Sequence, residues 1–500
     1  MKDNTCLLNW DGDFIQFFLQ NLQDWSDLPA AAAEYMDTYY KDQGIGDILF
    51  NIFAQNSVTP SKIFTDRATK YLQKEENGLP VDYTDCLHLS LLYKSYVEYG
   101  FDPAGFFIDY CRKIGIRPWI SLRMNDNHYR DQDTGWIRCD FFYEALNNGW
   151  LLGEKYRSSY RNYNYAVPEV RQKMLAYIEE QLNAYDVYGI ELDFMREPRC
   201  VPYYDDPDCH EAMTEFMREV RAVCRRCEGK RGHPLKIAVR LPRSPELCEK
   251  IGYRAGDWAC NGYVDAVCPA GHWNANDTDM PIDRWADLLH PCGVEVWAGM
   301  EMNLPHSIYI SEETAKAHTA QYAAQGSDRT HIYNLYHPYL SYITELGCWH
   351  KTPTVQEIQA VWQVAGDIDK CVQGVRRHVL TEETAGFQDI HPRWNPLPAK
   401  IGNGVSFSVP TGPILPDSQV TVFVGVENAK ELHISMNGQP CREAGFGEDA
   451  ELCRKNPTIS PRSVLCFTAS PHNADPLRQR ITVTGDPDGS ITYIEIKIAN

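Results

Sequence analysis

The apolar positions of the chain fall into short runs separated by longer amphipathic stretches. Eight runs read as strands: 6–10, 47–54, 117–122, 189–194, 236–241, 264–268, 294–298 and 330–335. Each is rich in aliphatic or aromatic residues and bounded by polar, Gly or Pro positions, the pattern of a strand buried on both faces. Helical periodicity lies between them at 30–41, 103–114, 168–185, 210–227, 281–289 and 312–325, with a shorter stretch at 245–253. Pro168 suits a first helical turn, and Gly115 a helix stop. Parallel strands need crossovers, so this alternation predicts a parallel sheet with helices outside. Eight repeats is the number that closes a (β/α)8 barrel. A doubly wound open sheet is the alternative, weakened because no G-x-G-x-x-G follows the first run.

Beyond residues 354–377, which read as closing helices, the texture changes. From Gly386 onward Pro and Gly are frequent. The runs 405–409, 420–424, 431–436, 463–468, 480–484 and 492–498 alternate or are β-rich, as in an antiparallel β-sandwich. The expected organisation is a barrel over residues 1–385 and a C-terminal β-sandwich over 386–500.

Composition narrows the partners. With 43% hydrophobic and 23% charged residues the chain reads as a soluble globular protein. No apolar stretch approaches the roughly 18 residues of a membrane span. The formal charge of −20 repels phosphate backbones and anionic membranes, so neither nucleic acid nor a membrane is an expected partner. A neutral ligand fits better, and 12 Trp and 29 Tyr offer rings that stack on sugars, although a large core also uses them. The 17 Cys are an odd number, and the N-terminus lacks an apolar signal segment. Free, mostly buried thiols in a reducing cytoplasm are expected. Cys224 and Cys227 form a CxxC within a helical pattern, without a second pair or matching His pair. They read as helix positions rather than as a zinc or redox site. No metal or cofactor is expected.

In a (β/α)8 barrel chemistry sits where the strands end. Polar groups collect at those edges here. Period two puts Glu191 and Asp193 on the barrel side of the fourth run and Leu192 and Phe194 on the helix side. A buried carboxylate is costly unless paired or catalytic, and Arg123 or Arg240 is in position to pair it. On the seventh run Trp297, Gly299 and Glu301 share the barrel side. Two carboxylates facing one cavity from different strands suit glycosidic bond cleavage, one as proton donor and the other as nucleophile or base. Asp193 and Glu301 are the expected pair. Glu197, Asp13 and Asp126 compete, and a structural ion pair is the plainer account.

The segment 123–128 places Arg123, Asn125, Asp126 and His128 where they would hydrogen-bond vicinal hydroxyls, or cap their own loop. Asp11, Arg196, Asn334 and the pair His272-Trp273 are further binding candidates, with Trp10, Trp297 and Tyr336 as walls. The aromatic stretch 131–167 is expected to form a lid or subsite wall.

The chain resembles the glycoside-hydrolase-like (β/α)8-barrel proteins of bacteria. The resemblance rests on Tyr188-Gly189-Ile190-Glu191-Leu192-Asp193-Phe194-Met195-Arg196 behind the helix opening at Val167-Pro168-Glu169-Val170-Arg171, and on Ser121-Leu122-Arg123-Met124-Asn125-Asp126. It covers roughly residues 1–380, and the β-rich tail is similar to the accessory sandwich of such enzymes. It implies a catalytic carboxylate at Asp193 and a carbohydrate substrate. The strand carrying the partner carboxylate differs among such families. The fifth run ends without a carboxylate and the sixth offers His272, which favours Glu301. The large clan pairing strands four and seven carries Asn-Glu at strand four, where this chain has Asp193. A glycoside hydrolase is therefore expected. A catalytically inactive carbohydrate-binding scaffold is one alternative. A metal-dependent hydrolase using Asp11, Asp13, His128, Asp193, His272 and His337 is the other.

Overall fold

The computed structural model describes residues 3–77, 83–126, 128, 135, 137–153, 161–202, 206–271, 276–304, 308–336, 350–380, 397–429, 431–472 and 474–500. Eight strands close a parallel barrel: β1 (Cys6–Trp10), β2 (Ile45–Ala54), β3 (Arg117–Arg123), β4 (Gly189–Asp193), β5 (Lys236–Pro242), β6 (Ala266–Ala270), β7 (Glu295–Glu301) and β8 (Arg329–Tyr333). Each pairs with its sequence neighbours, and β8 returns to β1. All eight predicted runs are barrel strands.

Helices α1 (Leu28–Tyr39), α2 (Pro103–Lys113), α3 (Pro168–Ala184), α4 (Pro207–Arg231), α5 (Pro245–Lys250), α6 (Ala255–Cys260), α7 (Ile282–Leu289) and α8 (Glu312–Ala324) supply the crossovers. Their ends follow local chemistry. The Asp102 side chain accepts the Gly105 N–H at 3.0 Å to start α2, with Pro103 in its first turn. Gly232 ends α4 in the left-handed region at φ 82°. Gly189 opens β4 because the Trp119 ring and the Lys236 carbonyl leave no room for a Cβ.

Alternation sorts the barrel strands into an outer apolar face, such as Leu8, Phe50, Ile120, Leu192, Val239 and Met300, and an inner face built in layers. At the base, Asp47 accepts from Trp119 Nε1 at 2.8 Å, from Arg117 and from Arg329. Above it Leu7, Leu49, Trp119, Ala238, Ala266, Cys268 and Trp297 form an apolar plug. Next come Asn9, Ser121, Glu191 and His331, and then the charged mouth.

The helical reading of 354–377 stops short. α9 (Val355–Val364) and a turn of helix at Ile368–Cys371 are followed by Gly374 at φ 70°, and the chain then enters strand β9 (Val375–Leu380). Among the described residues seven longer strands follow, besides two-residue pairings at Ala399–Lys400 and Gln439–Pro440: β10 (Val405–Pro410), β11 (Gln419–Glu427), β12 (Leu432–Met436), β13 (Arg442–Phe446), β14 (Val464–Ala469), β15 (Arg478–Gly485) and β16 (Ser490–Ala499). They form antiparallel sheets ordered β9-β16-β11-β14-β13 and β10-β15-β12 over a core including Phe407, Val422, Ile434, Ile481 and Ile496, a β-sandwich. Buried Arg377 of β9 ties this unit to the barrel. It binds Glu313 of α8, Asp449 at 2.9 Å and Glu495 at 2.5 Å.

One cysteine expectation is corrected: Cys260 at the end of α6 and Cys292 pair as a disulfide. The other described cysteines are free and mostly buried. Cys224 and Cys227 both lie on α4, and burial pushes the Cys224 thiol up to about 12, which suits an inert core position. Among the described residues no helix is long and apolar enough to cross a membrane.

Candidate active site

Strand register sets the geometry of the mouth. Arg123 of β3 lies opposite Asp193 of β4, Asp193 opposite Arg240 of β5, and Tyr333 of β8 opposite Glu301 of β7. All five side chains point inward at one level. Arg240 joins the two predicted carboxylates. One guanidinium nitrogen donates to both Asp193 oxygens at 3.1 and 3.3 Å, and the other donates to Glu301 Oε1. The guanidinium lies 4.0 Å over the Tyr333 ring. Asp193 is 0%, Glu301 1% and Arg240 2% exposed.

The two carboxylates have different surroundings. Asp193 Oδ1 also accepts the Met195 N–H at 2.8 Å and the Arg196 N–H at 3.1 Å. Glu301 Oε2 has no hydrogen-bond partner among the described residues. Burial pushes the Glu301 carboxyl above the usual range; Arg240 opposes this and the nearby Asp193 charge adds to it.

A second network adjoins the first. Arg123 donates to Asp11 Oδ2 at 2.8 Å and to Asp126 Oδ2 at 3.1 Å, and the Tyr333 hydroxyl accepts from it at 2.9 Å. Asn334, at φ 60°, donates to Asp11 at 3.0 Å. His128 Nδ1 contacts Asp126, and its Nε2 lies 3.1 Å from Arg196. Burial alone would raise the Asp126 carboxyl, but His128, Arg196 and Arg123 outweigh it and hold the group well below the carboxylate range. Asp11 is likewise lowered, against its burial, chiefly by Arg123.

The structure thus brings together Asp11, Arg123, Asp126, His128, Asp193, Arg196, Arg240, Glu301 and Asn334. Glu197 is buried just beyond Asp193. His272 and Trp273 lie outside the described residues.

Other candidates are placed elsewhere. Glu191 is one layer deeper, where Oε1 accepts from Asn9 and Ser121 at 2.7 Å each and Oε2 meets His331 at 2.9 Å. Trp297 lies in the apolar plug and stacks on His331 at 6.5 Å. Trp10 points outward, because Leu7, Asn9 and Asp11 take the inner face of β1. It packs on Phe14, Tyr40 and Phe50 at 5.2, 4.6 and 5.1 Å, and Tyr336 stacks on it at 6.0 Å. These three aromatics are core, not walls of the mouth. Asn125 spends its amide on backbone, donating to the Tyr163 and Arg199 carbonyls at 3.2 and 3.3 Å and accepting the Tyr163 N–H at 2.8 Å. Asp13 pairs with buried Arg67 at 3.1 Å.

The described part of the aromatic stretch is packed: Phe141, Phe142, Tyr163 and Tyr165 belong to the main core. Its Trp136, Tyr156 and Tyr160 are outside the described residues. Of the supposed metal ligands, Asp11, Asp13, His128 and Asp193 are each engaged by other side chains, and His337, like His272, is not described. Among the described residues no three His, Cys, Asp or Glu gather as a metal group would require.

Sequence reasoning missed Tyr333, whose ring supports Arg240 and whose hydroxyl serves Arg123. Period two from Arg329 through His331 was the available signal.

No family model matches the sequence. No curated protein matches it either. Solved structures similar in fold include several glycoside hydrolases. Alpha-L-fucosidase isoenzyme 2 from Paenibacillus thiaminolyticus is 13% identical at a TM-score of 0.42, over 75% of this chain and 51% of that one. GH36 alpha-galactosidase AgaB from Geobacillus stearothermophilus is 10% identical at 0.35, over 97% and 56%. The catalytic domain of GH30 xylanase C from Talaromyces cellulolyticus is 11% identical at 0.36, over 98% and 97%. The chain thus spans about half the length of the fucosidase. Likenesses this low say nothing of activity.

Proposed function

We propose that the protein is a glycoside hydrolase acting on a carbohydrate, with Asp193 and Glu301 as its working carboxylates. The observation that carries this reading is the shared Arg240: carboxylates from β4 and β7 meet at one guanidinium in the barrel mouth. Their unlike surroundings support unlike roles. Glu301, with an upward-shifted carboxyl and an unpartnered oxygen, is suited to give a proton to the leaving glycosidic oxygen. Asp193, held by Arg240 and two backbone N–H groups, is suited to act as nucleophile at the anomeric carbon or as base toward water. Arg240 and Tyr333 set the spacing between them. Asp11, Asp126, Arg123 and Asn334 form a polar wall fitted to sugar hydroxyls.

The test is turnover of aryl glycosides and oligosaccharides by wild type, Asp193→Asn and Glu301→Gln, with circular dichroism confirming the fold. Both variants are expected to lose about 10³-fold in kcat, the weight such groups usually carry. Glu301→Gln should lose least on substrates with good leaving groups, which need little protonation. Unchanged turnover in either variant removes that residue from the mechanism.

A second reading, a sugar-binding barrel without turnover, is favoured by one observation: Asp193 holds the turn at Met195 and Arg196, a structural task. Sugar binding without turnover in wild type would select it.

A further inference from the structure

The opposite end of the barrel holds an open cleft. It measures about 550 Å3 where β3, β4 and β5 begin, within the usual size range of small-molecule pockets. Buried Ile116 and Val187 make an apolar floor. Beside them Tyr188 keeps 39% of its surface exposed, with Trp119 at 5.4 Å and the Arg117 guanidinium 5.4 Å over its ring. A large, half-exposed ring anchored in this way is a stacking platform.

The wall is cationic. Arg112, Arg117, His233 and Lys236 line it, against the single carboxylate of Asp186. That carboxylate is shared by Arg112, by Arg231 at 3.1 Å and by His233 at 2.7 Å. Arg112 also binds Asp109, and Arg117 binds Asp3 at 2.9 Å, both carboxylates from outside the lining, so the lining itself carries three permanent cations, Arg112, Arg117 and Lys236, and one carboxylate. Arg117 and Lys236 are steadied from behind by Asp47 and Asp265 at 2.8 and 3.0 Å. On a chain of net charge −20, a concave basic patch of this kind concentrates anions.

We propose that this cleft binds a small organic anion whose flat apolar body stacks on Tyr188 and whose carboxylate or phosphate is held by Arg112, His233 and Lys236. The site lies at the other end of the barrel from Asp193 and Glu301, so it stands or falls independently of the hydrolase reading.

The test is isothermal titration of the full chain with 2-naphthoate, 1-naphthyl phosphate, neutral 2-naphthamide and inorganic phosphate. The naphthoate and naphthyl phosphate arms separate carboxylate from phosphate ligands. At least one of these two should bind about tenfold more tightly than the amide, or about 1.4 kcal/mol. Inorganic phosphate, which cannot stack, should bind about tenfold more weakly than that anion. Tyr188→Ala and Lys236→Gln should each weaken the preferred anion by a similar factor. Lys236 is partly exposed, so its variant keeps the test usable should Tyr188→Ala fail to fold. Failure of both aromatic anions to bind at millimolar concentration overturns the proposal. So does equal affinity for the amide, inorganic phosphate binding as tightly as the aromatic anions, or unchanged binding in folded variants.

Discussion

At the residue scale the decisive group is Arg240. Its guanidinium is desolvated, yet Asp193 and Glu301 keep its pKa above that of a free arginine. Arg240→Met would leave two buried carboxylates facing each other without a cation. Removing one partner of a buried ion pair costs about 3–5 kcal/mol, and chemical denaturation should show a loss of that size. Arg240→Lys should recover part of the stability but little turnover, because an ammonium cannot span both carboxylates in one plane. On the proposed reading, Glu301 sets a pH limit. A proton donor with a raised pKa loses its proton as pH climbs through that value, so kcat should fall on the alkaline side, and Glu301→Gln should abolish that limb.

The Glu191–His331 pair beneath the mouth makes a separate prediction about stability. Burial disfavours the His331 cation, but Cys268 and Glu191 outweigh it and raise the pKa from 6.5 to about 10. The folded state therefore binds this proton more tightly than the unfolded chain. Its contribution is complete below pH 6.5 and is lost as pH rises toward 10. Glu191 runs the other way. Burial would raise it, but His331 and its hydrogen bonds lower it below 4.5, so its contribution is present above that pH and lost as pH falls further. Melting temperature should therefore hold a plateau between those limits, and Glu191→Gln should flatten the alkaline slope.

At the scale of elements, the barrel was legible because strands buried on both faces write continuous apolar runs. The barrel-facing placement of Asp193 was legible because a charge inside such a run stands out, and that of Glu301 because period two carries it past the seventh run on the side of Trp297 and Gly299. The direction of Trp10 was not. Four of the five residues in Cys6–Trp10 are apolar, so period two had only Asn9 to fix the phase. Tyr333 was overlooked because aromatic residues suit either face of a strand. The helical reading of 354–377 takes in the first three residues of β9 because Gly374 alone marks the change to strand. The pairing of Cys260 with Cys292 was illegible because spacing carries no information about connectivity. Asn334, held in the left-handed region at the end of β8, gives an element-level test. Asn334→Gly should keep the turn, whereas Asn334→Val should cost about 1–3 kcal/mol. Both remove the hydrogen bond to Asp11, so the difference between their melting curves reads the backbone term.

At the scale of the whole molecule, Arg377 fastens sandwich to barrel. Burial opposes its charge, and Glu495 and Glu313 outweigh the burial, holding its pKa above the usual arginine value. Arg377→Met strands Glu495 in the core and cuts the link to α8. Calorimetry should then resolve two transitions where the wild type shows one.

The apolar plug has a consequence for the two ends of the barrel. Trp119 and Trp297 meet edge to face at 5.6 Å between the Asp47 cluster and the Glu191–His331 pair. A packed hydrocarbon partition gives charge rearrangements on one side little leverage on the other. A thermodynamic cycle combining Tyr188→Ala with Glu301→Gln should accordingly close to within about 0.5 kcal/mol of additivity.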